Sequence, residues 1–125
     1  MTTTAAPTTT TATLFVVGQR LTTVTVWLNT TTDPEGRHLG MVRGYKPEDT
    51  LELGISYVTA ASDDPVRLAE DAFAAFNGHP NTPDHDDMVE AWYGSRRRSL
   101  SVGDVVAVGD RRYSVDRYGW TELAS

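Results

Sequence analysis

Read from residue 14 onward, the chain alternates between two hydrophobic periods. Leu14-Phe15-Val16-Val17 is a short β-branched and aromatic run ended by Gly18. From Leu21 to Leu28 the period is two: Val24, Val26 and Leu28 share one face, and Thr23, Thr25 and Trp27 share the other, which predicts a strand with a buried face. Asp33-Pro34-Glu35-Gly36 supplies turn chemistry. Residues 37–50 show little pattern and read as loop, with a short strand at Leu39–Arg43. Alternation resumes with Leu51, Leu53, Ile55 and Tyr57 against Glu52, Gly54 and Ser56, a half-buried strand running to about Thr59 with those four residues on one face.

The period then changes. Asp64 is a natural N-cap and Pro65 suits a first helical position. Ala69, Ala72, Phe73 and Phe76 follow at i, i+3, i+4 and i+7, one apolar stripe that Gly78 terminates. This predicts the main helix, about 64–77. Thr82-Pro83 opens a shorter one, about 83–94, with Met88, Ala91, Trp92 and Ser95 facing inward and Gly94 at its end. The remainder reads as β: a strand at Asp104–Val108, a Gly109-Asp110 hairpin turn, a return at Arg112–Tyr118, and a Gly119-Trp120 turn or bulge leading to a last short strand at about Trp120–Leu123. The expected fold is therefore α+β, with a small, mostly antiparallel sheet, two helices and a C-terminal β-hairpin. Residues 1–13, nearly all Thr and Ala, bury too little apolar surface to offset their ordering entropy, so the domain is expected to occupy 14–125 behind a disordered tail.

Composition narrows the function. A net charge of −6 disfavours nucleic acid and anionic membrane as general partners, since both need cationic surface. The absence of cysteine excludes disulfides, thiolate metal sites and cysteine nucleophiles. Residues 1–12 carry no Lys, Arg or apolar core of a secretory signal, so a cytoplasmic location is expected.

Three clusters invite a chemical reading. Ser99, Ser101, Gly103 and Asp104 form a compact polar loop, a candidate interaction loop. It has no Lys and opens no helix as a phosphate loop would, and it does not match a hydrolase nucleophile elbow. Its structural reading is a tight turn launching a strand, with Leu100 and Val102 in the core, Gly103 supplying backbone freedom and Asp104 accepting nearby N–H groups. Arg96, Arg97 and Arg98 are a candidate basic patch that Arg111 and Arg112 would enlarge, or cations at a helix C-terminus. His79 and His85, six apart across Pro80 and Pro83, lack the i, i+4 spacing of a helical zinc pair. The nearby Asp84, Asp86, Asp87 and Glu90 suit a solvated helix start. No metal, cofactor or catalytic residue is expected.

One constellation carries a resemblance. A helix ending Ala74-Ala75-Phe76-Asn77, then Pro80, Arg98-Ser99-Leu100-Ser101-Val102-Gly103-Asp104-Val105-Val106, Tyr113 and Gly119-Trp120 resembles the YodL-like domain and its actinobacterial relatives over roughly 51–123. Gly103 stands where that family often has Ser, and Trp120 where it often has Phe. The resemblance implies a small accessory protein of conjugative elements or phages, non-enzymatic, whose partner is another protein. Two alternatives stand beside it. One is an acidic, antirestriction-like modulator of a nucleic-acid enzyme, using Asp63, Asp64, Glu70, Asp71 and Asp84–Asp87. The other is a small metal-dependent hydrolase using His79 and His85.

Overall fold

A computed structural model describes residues 20–81 and 85–124; the Thr-rich tail, the run Leu14–Val17 and the Thr82-Pro83 helix start lie outside them. In chain order the elements are β1 (Leu21–Asn29), α1 (Leu39–Arg43), β2 (Leu51–Ala60), α2 (Pro65–Ala75), α3 (Asp86–Gly94), β3 (Val105–Val108), β4 (Arg111–Asp116) and β5 (Gly119–Leu123). The strands form one antiparallel sheet in the order β2-β1-β3-β4-β5. It is a small α+β fold.

Helix α2 begins as its sequence requires: Pro65 occupies the first turn and Asp64 Oδ1 accepts from Val66 N at 3.2 Å. It closes at Phe76, after which Asn77, Gly78 and His79 donate back to Ala74 and Ala75 carbonyls. Its stripe lies on β1, β3 and β4. Ala69, Ala72 and Phe76 are fully buried over Val24, Val26 and Val106, and the half-buried Phe73 packs edge-on against Trp120 with ring centroids 6.1 Å apart. Helix α3 lies over β2. Its Trp92 ring stacks on Phe76 at 4.6 Å, and a Cβ placed on Gly54 would meet the Trp92 ring at 2.7 Å.

Four expectations are corrected. Leu39–Arg43 is a single helical turn instead of a strand: the turn bonds its own backbone, Gly44 N to Gly40 O at 2.8 Å, and seats Gly40 against Asn29 and Gly103. The inner face of α3 is Met88, Val89 and Trp92; Ala91 and Ser95 are exposed. The described part of that helix starts at Asp86, with His85 at the N-cap position and giving no side-chain cap. The turn between β4 and β5 is Arg117-Tyr118, so β4 ends two residues earlier than expected and Gly119 already belongs to β5. Finally, Leu51, Leu53, Ile55 and Tyr57 do not share a face. Trp27 pairs with Leu53 and Val26 with Ile55, so Gly54 is an inserted bulge residue that reverses the parity of β2. Ile55 and Tyr57 join the core while Leu53 turns to the opposite face, 48% exposed.

Candidate functional site

The polar loop before β3 is the hub of a buried ion network. Asp104 is fully buried, and each of its carboxylate oxygens accepts two hydrogen bonds. Oδ1 accepts from Asn29 N at 2.8 Å and Arg98 Nη2 at 2.7 Å; Oδ2 accepts from Ser101 N at 2.9 Å and Arg98 Nη1 at 2.7 Å. Arg98 further donates to the carbonyls of Asn29 and Ser99, at 3.1 and 3.0 Å. The Asn29 amide extends the chain of contacts: Nδ2 donates to Gly103 O at 3.0 Å and to Asp49 Oδ2 at 2.9 Å. Asp49 is held in turn by both Nη atoms of Arg43, at 2.8 and 3.1 Å, and by Lys46 N at 2.9 Å. Cation, anion, amide, anion and cation thus run through one end of the sheet. They tie β1 to β3, to the segment after α3 and to the α1 loop.

Chemically this arrangement is a clamp. A bidentate guanidinium geometry with further donors on each carboxylate leaves little capacity to bind a ligand. Contacts to Arg43, then to the Asn29 amide and Lys46 N, outweigh the upward effect of burial and hold the Asp49 carboxyl down at about 2, against an ordinary 3.8. A depressed folded-state value stabilises the fold above the unfolded value, and that contribution is lost as pH falls from about 4 to 2. With solvent screening around the pair allowed for, it is worth about 1–2 kcal/mol. Urea melts of the parent and of Asp49→Asn are expected to differ by this amount at pH 6 and to converge near pH 2; a gap independent of pH would contradict the assignment.

The loop residues and the arginines predicted from sequence are therefore only partly brought together. Ser101, Gly103, Asp104 and Arg98 share the clamp. Ser99 joins it only through its carbonyl, which accepts from Arg98, while its hydroxyl hydrogen-bonds with Tyr93 Oη at 2.9 Å. The expected basic patch dissolves: Arg98 pairs with Asp104, Arg97 lies 3.6 Å from Glu52 and over the Trp92 ring, and Arg96 alone of the three is exposed. Arg111 and Arg112 pair with Val108 and Ala107, at the far end of β3 from Asp104, and do not enlarge it. Val102, expected in the core, is half-buried and lines an open cleft of about 440 Å³ between α1 and the β4–β5 turn, beside Val42 and Trp120. Tyr118, 98% exposed, stands at its rim.

His79 and His85 are separated in environment. His79 is exposed beyond α2, whereas His85 is buried with its ring edge-on to Tyr57 at 5.6 Å and its Nδ1 without a partner among the described residues. Burial, with the charge of Asp71 adding to it, pushes the Tyr57 phenol well above its ordinary range. Among the described residues no three His, Asp or Glu side chains converge as a cation site would require. The acidic residues, by contrast, gather on the helical layer. Asp63, Asp64, Glu70, Asp86, Asp87 and Glu90 are all exposed, and Asp71 is half-buried, accepting from Asn81 Nδ2 at 2.9 Å.

Sequence reasoning missed Asn29, Arg43 and Asp49. The available signal was slight: an Asn closing a strand with one apolar face, and an Asp at the end of a Lys-Pro-Glu-Asp turn. Among the described residues no helix is long and apolar enough to cross a membrane. No family model matches the chain, and neither do any curated protein or solved structure.

Proposed function

We propose that this chain is a non-enzymatic, cytoplasmic accessory protein that works by protein–protein contact, its helical layer presenting carboxylates to a basic partner surface. The observation that carries this reading is the division of charge. Residues 61–95, which include α2 and α3, hold eight carboxylates against one arginine, a local charge of −7 in a chain whose total is −6. The arginines nearest to them in sequence are in part turned inward, onto Asp104 and Glu52. A one-signed surface steers and orients a partner of opposite sign and repels nucleic acid. The resemblance to YodL-like domains suggests a conjugative element or phage as the setting. The same charge division favours a narrower version, in which the basic partner is a nucleic-acid enzyme and the chain is its antirestriction-like modulator.

Affinity capture with the full chain, beside a Glu70→Lys/Asp87→Lys/Glu90→Lys variant, tests this. The parent is expected to retain a basic protein in a salt-sensitive manner, and the variant to lose at least nine-tenths of it with an unchanged melting curve. Equal capture by both would rule out the helical layer as the contact surface. A nucleic-acid enzyme among the retained proteins, inhibited by the parent alone, would select the narrower version.

A further inference from the structure

Strand β2 is the outer strand on one side of the sheet, and no described residue pairs with its far edge. The phase of the β1–β2 ladder fixes which groups face outward. Ala61 N–H donates to Arg20 O at 2.9 Å, and antiparallel residue pairs alternate between exchanging hydrogen bonds and turning them away. Thr25 pairs with Ser56, Thr23 with Val58 and Leu21 with Ala60, so the N–H and C=O groups of Ser56, Val58 and Ala60 point away from β1. The stretch Ile55–Ala60 has no charge and no proline, the devices that normally blunt an edge. The Gly54 bulge stops short of it. The opposite edge, β5, is half as long and carries Glu122.

The flank of that edge says what strand it accepts. Helix α3 runs along β2, with His85 beside Tyr57, Trp92 against Gly54 and Arg97 near Glu52. Tyr93 turns toward the end of α2, donating to Phe76 O at 3.0 Å. Helical spacing then sets Asp87 on the opposite flank, above the open edge, with Glu90 exposed between the two. A second copy docked antiparallel about a two-fold axis would set α3 against α3 and carboxylate against carboxylate; a cationic strand meets the opposite sign. We infer that the free edge of β2 takes up an extended, Lys- or Arg-bearing segment of a partner protein as a sixth strand. Ser56, Val58 and Ala60 exchange main-chain hydrogen bonds with it, and Asp87 and Glu90 draw its cations. The choice of a basic partner rests on the reading above; the main-chain pairing goes beyond it.

The test uses the full chain and three ten-residue peptides: alternating Lys and Val, alternating Glu and Val, and the Lys–Val peptide with a central proline. The Lys–Val peptide is expected to slow amide hydrogen exchange at Ser56, Val58 and Ala60 at least tenfold. The Glu–Val peptide should bind at least tenfold more weakly, and the proline peptide should protect none of the three. Val58→Pro removes an outward N–H and no ladder bond, and should abolish the protection; the proline peptide makes the same test if that variant fails to fold. Lys–Val binding that perturbs α2 and α3 but leaves the three amides exchanging freely would overturn strand addition and leave the acidic docking surface standing. Equal protection by the Lys–Val and Glu–Val peptides would overturn the basic partner. Protection already present in the free chain, relieved by deleting residues 1–19 or by dilution, would assign the edge to the chain's own N-terminal segment or to a second copy and overturn the proposal, as would no protection from any peptide.

Discussion

Asp104→Ala is expected to lose about 3–5 kcal/mol, a large share of an ordinary domain's stability. From the sequence alone the same change looks worth about 1 kcal/mol, the loss of one turn acceptor. The difference lies in what the carboxylate holds. Its removal leaves the Asn29 and Ser101 N–H groups buried without acceptors and strands a guanidinium that is only 27% exposed. Asp104→Asn is also expected to be costly, because an amide offers one acceptor oxygen and turns N–H groups toward donors on its other side. A double-mutant cycle with Arg98→Ala should return a coupling of at least about 2 kcal/mol, since the second truncation removes the charge that the first abandons. Urea denaturation of the four proteins measures this. A loss below about 1 kcal/mol for Asp104→Ala would show that the clamp contributes little.

Gly103→Ser is the second large effect, at about 3–5 kcal/mol. The YodL-like resemblance, with its frequent Ser at this place, implies a near-neutral change. Here Gly103 has φ +95, and a Cβ on it would lie 2.5 Å from the Gly40 Cα of α1. Positive φ alone costs a non-glycine residue on the order of 1–2 kcal/mol; the backbone contact adds the cost of pushing α1 off the sheet end, about 1–3 kcal/mol. Gly78→Ala separates the two: Gly78 has φ +85 with open space around it, so its variant should lose only the conformational part. If both variants lost the same, the close approach of α1 would carry no energetic weight.

The elements visible in the sequence are those whose signal is local. The Asp64-Pro65 start and the stripe through Ala69, Ala72 and Phe76 encode α2 within thirteen residues, and Gly109-Asp110 encodes the β3–β4 hairpin within two. What escaped is non-local. A bulge at Gly54 inverts the faces of β2 without disturbing its alternation, because the parity change is visible only against the partner strand. The Asn29–Asp104 contact spans 75 residues, and no spacing rule connects two groups so far apart. The helical turn at Leu39–Arg43 also answers to residues far away, since its Gly40 seats against Asn29 and Gly103. The candidate loop was legible as polar and glycine-bearing; that its carboxylate faces inward depended on Arg98, which a run of three arginines presented as surface.

The strand order also constrains how the chain reaches its native state. Strand β1 is the first described strand, yet it pairs with β2 on one side and with β3, about eighty residues later, on the other. The β3–β4–β5 meander closes two-residue turns and the β1–β2 pair a connection of 21 residues, whereas joining them fixes a longer one, and that loss of chain entropy precedes the reward of the contacts. Only four residue pairs, from Val24–Val108 to Trp27–Val105, make up this seam. The β1–β3 seam is therefore expected to form after the pairings on either side of it. On the ribosome, Val24 and Val26 wait through the synthesis of both longer helices before the strand that covers their other side emerges.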